Sequence, residues 1–314
     1  MACSRARRVR RAKRRHKAAF LGMGAMGLRH MRVFAGLGER FEIAGAYDLR
    51  SDVPVPSGAV RLRSEEEAIA SAEVVVIATP TGSHAGAAAR ALAAGRHVLV
   101  EKPICATAIE ASSLAALAGR GGALLFAGHS ERFNPVIRVL ARLVRDEPLL
   151  AVDLERVGPS RPTECGALFN LGVHDFDLAT YLGRSPLTLR GALGTDDRAH
   201  VLFTTASGAV GHLHVDRTAP AKRRRIAVTT ARWAYEGDLL AHHLVRTSTA
   251  TGARSDVPLP LDEPLAAQAL SLADALDGTG GREIATGDDG AYAVALAEEA
   301  SRNTCRRPRL AGTP

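Results

Sequence analysis

Two rhythms of apolar and polar residues divide the chain. Up to about residue 127, short apolar runs alternate with longer stretches whose apolar residues recur at steps of three and four. A continuous apolar run reads as a strand covered on both faces, and the wider spacing as an amphipathic helix. The runs at 18–21, 41–47, 74–79, 97–100 and 123–126 are therefore predicted strands. Between them, Leu28, Met31, Phe34 and Leu37 outline one buried helix face, and Ser64 to Glu67 forms a capping box that opens a short helix. Ser83 is placed to cap an alanine-rich helix over 84–94 that Gly95 ends, and a further helix is expected over 106–117. Alternation of this kind predicts an open, doubly wound parallel sheet.

Near residue 150 the rhythm changes. Segments 149–156, 200–205, 210–217, 225–230 and 241–245 are short, β-rich and separated by Gly, Pro, Asp or Ser clusters, which predicts a mostly antiparallel sheet. Helices are expected over 175–182, 265–276 and 290–300, the last packing back on the first domain. At 314 residues and 46% apolar composition, the chain can bury two cores. No internal repeat is visible.

The first strand runs directly into Gly22-Met23-Gly24-Ala25-Met26-Gly27, a Gly-x-Gly-x-x-Gly turn that hands over to the first helix. In a dinucleotide site Gly22 allows the tight turn, Gly24 lets the backbone approach a pyrophosphate, and Gly27 lets helix and strand pack closely, with Ala25 and Met26 at the helix start. Free N–H groups at that helix terminus point at the phosphates. Such a site also needs an acid about 20 residues further on, and the second strand ends at Asp48, placed for the ribose hydroxyls. Asp48 favours NAD, whereas Arg50 two residues later could offset repulsion of a 2'-phosphate and leaves NADP open. The expected organisation is α/β: a disordered basic arm over 1–17, a Rossmann domain over 18–127, an α+β domain over 128–303 and a tail over 304–314.

The formal charge of +8 suggests a nucleic-acid partner until it is located. Nine of the 41 Lys and Arg lie in residues 1–17 with no acid among them, which leaves 32 against 33 acidic residues in the rest. The folded part is nearly neutral and only 4% aromatic, so a polyanion binder is disfavoured. The arm reads as solvated chain, or as the product of an upstream start codon. A leader peptide fits less well, because the apolar stretch after the arm is short and broken by three glycines. No segment has the length of apolar residues a membrane span needs. Cys3, Cys105, Cys165 and Cys305 are scattered without C-x-x-C pairs, which suits a reducing cytoplasm and suggests neither zinc nor a disulfide framework.

In open α/β sheets ligands bind beyond the carboxyl ends of the strands. The residues there are Thr79-Pro80-Thr81, Glu101-Lys102-Pro103 and the run from Gly128 to Pro135. Lys102 would face the nicotinamide cleft, where burial lowers an ammonium pKa toward a range useful for proton transfer. In the second domain Asn170 and His174 stand at i and i+4, one side of a helix, and His174 could take a substrate hydroxyl proton. Asp175 and Asp177 show no metal-ligand spacing, and no metal is expected.

On these residues the chain resembles the glucose-fructose oxidoreductase, inositol dehydrogenase and MocA family of NAD(P)-dependent oxidoreductases. The glycine turn, Thr79-Pro80 with His84, the run from Ala94 to Pro103, Arg132 with Pro135, and Gly172-x-His174-x-x-Asp177 fall in family order. Glu263-Pro264-Leu265 and Thr286 to Gly290 look like the family's C-terminal pattern, so the likeness covers residues 18 to about 303. The resemblance implies a Rossmann domain followed by a large open sheet that assembles dimers or tetramers. It implies catalytic roles for Lys102, His174 and Asn170, cofactor contacts from Thr79, Pro80, His84, Glu101 and Lys102, and substrate contacts from Arg132, Asn134 and Asp175. Gly128 to Pro135 looks most like the branch that oxidises UDP-N-acetylglucosamine-type sugars at C3. The implied activity is hydride transfer between NAD(P) and a secondary alcohol of a sugar, nucleotide sugar or cyclitol. One departure stands out: members commonly carry an aspartate four residues before the histidine, and here that residue is Asn170. An amide orients a hydroxyl but accepts no proton. A non-catalytic dinucleotide sensor or scaffold is therefore the alternative expectation.

Overall fold

The first apolar run folds as β1 (His16–Leu21), which pairs in parallel with β2 (Phe41–Tyr47) on one side and β3 (Val74–Ile77) on the other. The structure, a computed structural model, describes residues 14–56, 59–159 and 166–304. With β4 (His97–Val100) and β5 (Leu125–Ala127) the strands form a parallel sheet in the order β2-β1-β3-β4-β5. The chain moves one way from β1 and then returns past it, so a crevice opens at the carboxyl ends of β1 and β3. The connecting helices are α1 (Ala25–Gly36), α2 (Glu65–Ser71), α3 (Thr81–Ala93) and α4 (Ala108–Gly121). Ser64 caps α2, its side chain accepting from Glu67 N–H, as its spacing predicts. Ser83 does not cap α3: the helix already starts at Thr81 after Pro80, and the Ser83 hydroxyl donates back to Pro80 O.

The arm expected over 1–17 needs correction at its end. His16 and Lys17 belong to β1, and the His16 ring is buried between Glu73 and Asp277, 3.1 Å from the latter. Residues 1–13 and 305–314, which hold most of the expected arm and tail, lie outside the described residues.

After a short 3-10 turn at Ser130–Phe133, α5 (Pro135–Leu143) leads into the second domain. Its sheet comprises β6 (Leu149–Val157), β7 (Leu187–Gly194), β8 (Arg198–Thr205), β9 (Val210–Asp216), β10 (Arg223–Thr230), β11 (Trp233–Asp238), β12 (His243–Ser248) and β13 (Arg254–Asp256). The order is β13-β12-β11-β10-β6-β9-β8-β7, antiparallel throughout except for the β6–β9 pair. Between β6 and β7 lie a π-helical turn at Leu168–Gly172 and α6 (Val173–Gly183). The expected sheet is present, and β7, β11, β13 and α5 are additions to it.

Two C-terminal helices lock the domains together. α8 (Gly287–Thr304) sends Ala291 and Val294 into the Rossmann core and Ala293, Leu296, Ala297 and Ala300 into the core of the large sheet. Gly290 permits the approach: a Cβ there would lie 2.7 Å from Ala127 Cβ. α7 (Pro264–Leu276) packs Leu265, Ala269, Leu272 and Ala273 against the α1 face of the first sheet. Buried Arg40 fastens it, donating to Asp274 and Asp277 at 2.9 Å each.

Candidate active site

The glycine turn has the geometry a dinucleotide requires. Gly22 takes φ +86°, and a Cβ there would lie 2.7 Å from Ala78 O at the end of β3. A Cβ on Gly27 would fall 1.9 Å from Gly22 O, so turn and helix close only without one. At Gly24 nothing lies within 4 Å of a Cβ position. Gly24 is the N-cap of α1, where no side chain caps the free N–H groups, and the open space beside it suits an anion. A side chain on Gly24 would fill the cradle instead. The residues present therefore fit a bound pyrophosphate, with Ala25 and Met26 opening the helix.

Asp48 follows β2 and already serves the turn. Its Oδ2 accepts from Met23 N–H at 2.7 Å and its Oδ1 from Arg50 N–H at 2.9 Å. Burial raises the carboxyl's pKa, but these backbone donors, with the charges of Arg50 and Arg61, outweigh it and hold the group below the usual range. The Arg50 side chain is exposed and lies 3.7 Å from Asp48 Oδ1.

Two residues expected to touch the cofactor are enclosed, holding the loops after β3 and β4. His84 is 1% exposed, with Nδ1 2.9 Å from Pro103 O and Nε2 2.8 Å from Thr79 O. It clamps the loop after β3, which carries Thr79 and Pro80, to the loop after β4. Glu101 is likewise enclosed, 2.7 Å from His30 Nε2 while accepting from Lys102 N–H at 3.1 Å. Burial alone would raise the Glu101 pKa; the His30 bond overcomes this and keeps it low. Sequence reasoning missed His30, a polar residue on the buried face of α1.

Lys102 crosses between the domains. Its Nζ donates to Asn170 O at 2.9 Å and approaches Asn170 Oδ1 at 3.4 Å. Burial lowers its pKa; Glu101 opposes the shift and Arg156 adds to it. One turn beyond Asn170, the His174 ring is held well below its usual pKa by burial, then by the charges of Lys102 and Arg156, and is neutral near pH 7. Its Nδ1 is enclosed without a hydrogen-bond partner among the described residues. His129, in the loop after β5, meets it edge-on, ring centroids 6.0 Å apart. His129 is a fourth member of the cluster, detectable beforehand as a second histidine after a parallel strand.

The three expected substrate residues are placed otherwise. Buried Arg132 grips Asp177 through Nε at 2.8 Å and through Nη2, reaches Asp289 at 3.4 Å, and stacks on Tyr181. Its donors are committed to bracing α6 and α8. Asn134 caps α5 by accepting from Val136 N–H and donates to Leu239 O at 3.0 Å. Asp175 accepts from Arg156 Nε at 2.8 Å, while its Oδ2 is enclosed without a partner, and burial pushes the carboxyl up to about 6. Among the described residues no group of three His, Cys, Asp or Glu side chains is placed to hold a metal ion. No helix among them is long and apolar enough to cross a membrane.

A glycine turn on a Rossmann sheet, with a lysine from that domain meeting an amide and a histidine from the second, defines an NAD-binding oxidoreductase. The family model for this class, an oxidoreductase family with an NAD-binding Rossmann fold, matches residues 16–129, and the GFO/IDH/MocA C-terminal domain matches residues 138–235. The chain belongs to the GFO/IDH/MocA family. It is 30% identical to UDP-N-acetylglucosamine 3-dehydrogenase of Acidithiobacillus ferrooxidans over 67% of this chain and 70% of that one. The solved structure of a UDP-N-acetylglucosamine 3-dehydrogenase from that organism covers 92% of this chain and 97% of its own, at TM-score 0.85 and 24% identity. Inositol 2-dehydrogenase of Rhizobium meliloti is 28% identical over 92% of this chain and 97% of that one. GenD2 from gentamicin A biosynthesis, solved in complex with NAD, covers 94% of this chain and 96% of its own, at TM-score 0.80 and 26% identity.

Proposed function

We propose that this oxidoreductase moves hydride between NAD(P) and a secondary alcohol or ketone on a sugar, nucleotide sugar or cyclitol. The observation that carries the reading is the contact of Lys102 with Asn170 across the domain cleft, one helical turn from a neutral His174. The nicotinamide, when bound, supplies the hydride acceptor or donor. Lys102 donates a hydrogen bond to the oxygen on the reacting carbon, with a pKa already lowered for that role. His174 accepts the hydroxyl proton on oxidation and returns it on reduction. Asn170 holds the Lys102 ammonium and directs a neighbouring substrate hydroxyl. The relatives' activities, as a UDP-N-acetylglucosamine 3-dehydrogenase and an inositol 2-dehydrogenase, support polyhydroxylated substrates.

Asp48 at the end of β2 supports NAD, and exposed Arg50 beside it keeps NADP within reach. The outer face of the large sheet presents Leu193, Leu202 and Val210 to solvent, which supports a homodimer or homotetramer built on that face. We place the protein in the cytoplasm, a reading supported by Cys105, the one cysteine among the described residues, being free and buried.

Purified protein incubated with NAD or NADP and a panel of sugars, nucleotide sugars and cyclitols is expected to change reduced-nicotinamide absorbance. Lys102→Ala removes the donor at the reacting oxygen, and its kcat is expected to fall about 100- to 10,000-fold. Tight dinucleotide binding with no turnover across the panel would instead favour the sensor or scaffold reading. Asn170 is the observation behind that alternative, since its amide accepts no proton.

A further inference from the structure

The inner face of the large sheet carries a feature that hydride transfer does not account for. Arg156 on β6 and Arg224 on β10 are direct cross-strand partners, in phase with the inward-facing pair Leu154 and Ile226. Like charges placed opposite each other in a sheet repel. Arg156 is answered by Asp175 at 2.8 Å and Glu131 at 3.0 Å, yet its Nη2 is enclosed with no partner among the described residues. Among the described residues Arg224 has no carboxylate partner within ion-pair distance: its Nη1 donates to the carbonyls of Val157 and Arg223, and its Nε and Nη2 make no bond there. Burial and the Arg156 charge disfavour its cation, and the more distant charges of Asp175 and Glu131 offset this only in part. A half-buried guanidinium beside a second arginine costs stability unless something negative joins them.

This pair borders the Lys102–His174 cluster. Arg156 bonds the residue adjoining His174, and the charges of Arg156 and Arg224 both reach Lys102 and His174. We propose that Arg224, with Nη2 of Arg156, binds a small anionic group, a carboxylate or phosphate, carried on the sugar close to the carbon that is oxidised. The guanidinium fork matches either anion through two parallel N–H···O bonds. This rests on the proposed dehydrogenase reading and narrows its substrate from polyols in general to acidic sugars. Asp175 and Glu131 fix the Arg156 plane and serve as positioning residues.

The test uses NAD-saturated protein, so that the pyrophosphate cradle is filled and competes for no added anion. kcat/KM is measured for glucuronate, glucose 6-phosphate, glucose and myo-inositol, with wild type and Arg224→Gln. An acidic sugar is expected to be the better substrate, with glucuronate against glucose 6-phosphate separating carboxylate from phosphate. Arg224→Gln is expected to lower kcat/KM for that acidic sugar about 10- to 100-fold further than for neutral sugars, whose turnover shifts only through the charge that Arg224 exerts on Lys102 and His174. Turnover of neutral sugars alone, indifferent to Arg224→Gln, would overturn the inference while sparing the dehydrogenase reading. If nothing in this panel turns over, the dehydrogenase reading is decided by the wider panel with nucleotide sugars, and calorimetric titration of glucuronate and glucose 6-phosphate into the same two proteins decides the inference. Equal or absent heats in both sink it; binding confined to wild type upholds it. Should Arg224→Gln not fold, Arg224→Lys keeps the charge without the fork, and is expected to show a smaller loss for the same acidic sugar.

Discussion

His174 shows how far one buried ring can be pushed by what surrounds it. Burial comes first, and Lys102, Arg156 and His129 add repulsion, so its pKa falls well below 6.5. His129 is shifted the same way by burial. For a base whose folded pKa is depressed, the unfolded chain takes up the proton first as pH falls. The part of the stability that depends on these two rings is therefore complete above pH 6.5, the unfolded value, and is lost as pH drops below it, while Asp175, raised to about 6, works in the opposite sense. The two rings together are expected to steepen the loss by up to about 1.4 kcal/mol per pH unit each, read from urea melts between pH 5 and 7. His174→Asn should flatten that slope, and an unchanged slope would refute the assignment. In alcohol oxidation the acid limb of kcat/KM should lie below pH 6.5 and disappear in the same variant. Of this residue-scale picture, Lys102, Asn170 and His174 were legible from their positions after strands and one helical turn apart. The roles of Arg132 and Asn134 were not, because a sequence does not show that Asp177 and Leu239 O have already taken their donors.

At the scale of elements, the β1–α1 turn separates two functions of glycine that look identical in the sequence. Gly27→Ala drives a Cβ against Gly22 O, 1.9 Å away, and backbone must move. It is expected to cost about 1–3 kcal/mol in the apo protein, together with dinucleotide affinity. Gly24→Ala meets nothing within 4 Å, so apo stability should hold while NAD affinity falls. Thermal melts with and without NAD distinguish the two, and equal losses of apo stability would contradict the division. Continuous apolar strands such as β3 announced themselves. β7 did not: its Gly191 and Gly194 weaken the strand signal, and pairing with β8 supplies the order that propensity lacks. α5 was readable in principle, since Asn134 before Pro135 is a start signal and Val136, Ile137 and Leu140 share its buried face.

For the whole molecule, the outer face of the large sheet sets the next question. Three histidines stack there, His200 with His214 at 4.1 Å and with His212 at 5.3 Å between ring centroids, beside exposed Leu202 and Val210. If the protein assembles through this face, Leu202→Glu is expected to shift the sedimentation coefficient to that of a monomer without altering its melting behaviour at low concentration. An unaltered oligomer would place the interface elsewhere.

By itself the sequence determined the fold class, the parallel character of the first sheet, the glycine turn that opens it and the family. Those features rest on local periodicity and on glycine spacing, which a chain carries wherever it folds. Only the tertiary structure decided which charges remain available. Arg132 is consumed by Asp177, whereas Arg224 faces Arg156 across two strands joined late in the chain. Charge pairing depends on distances set when β6 meets β10 and when α8 closes over both domains, and no local pattern encodes those distances.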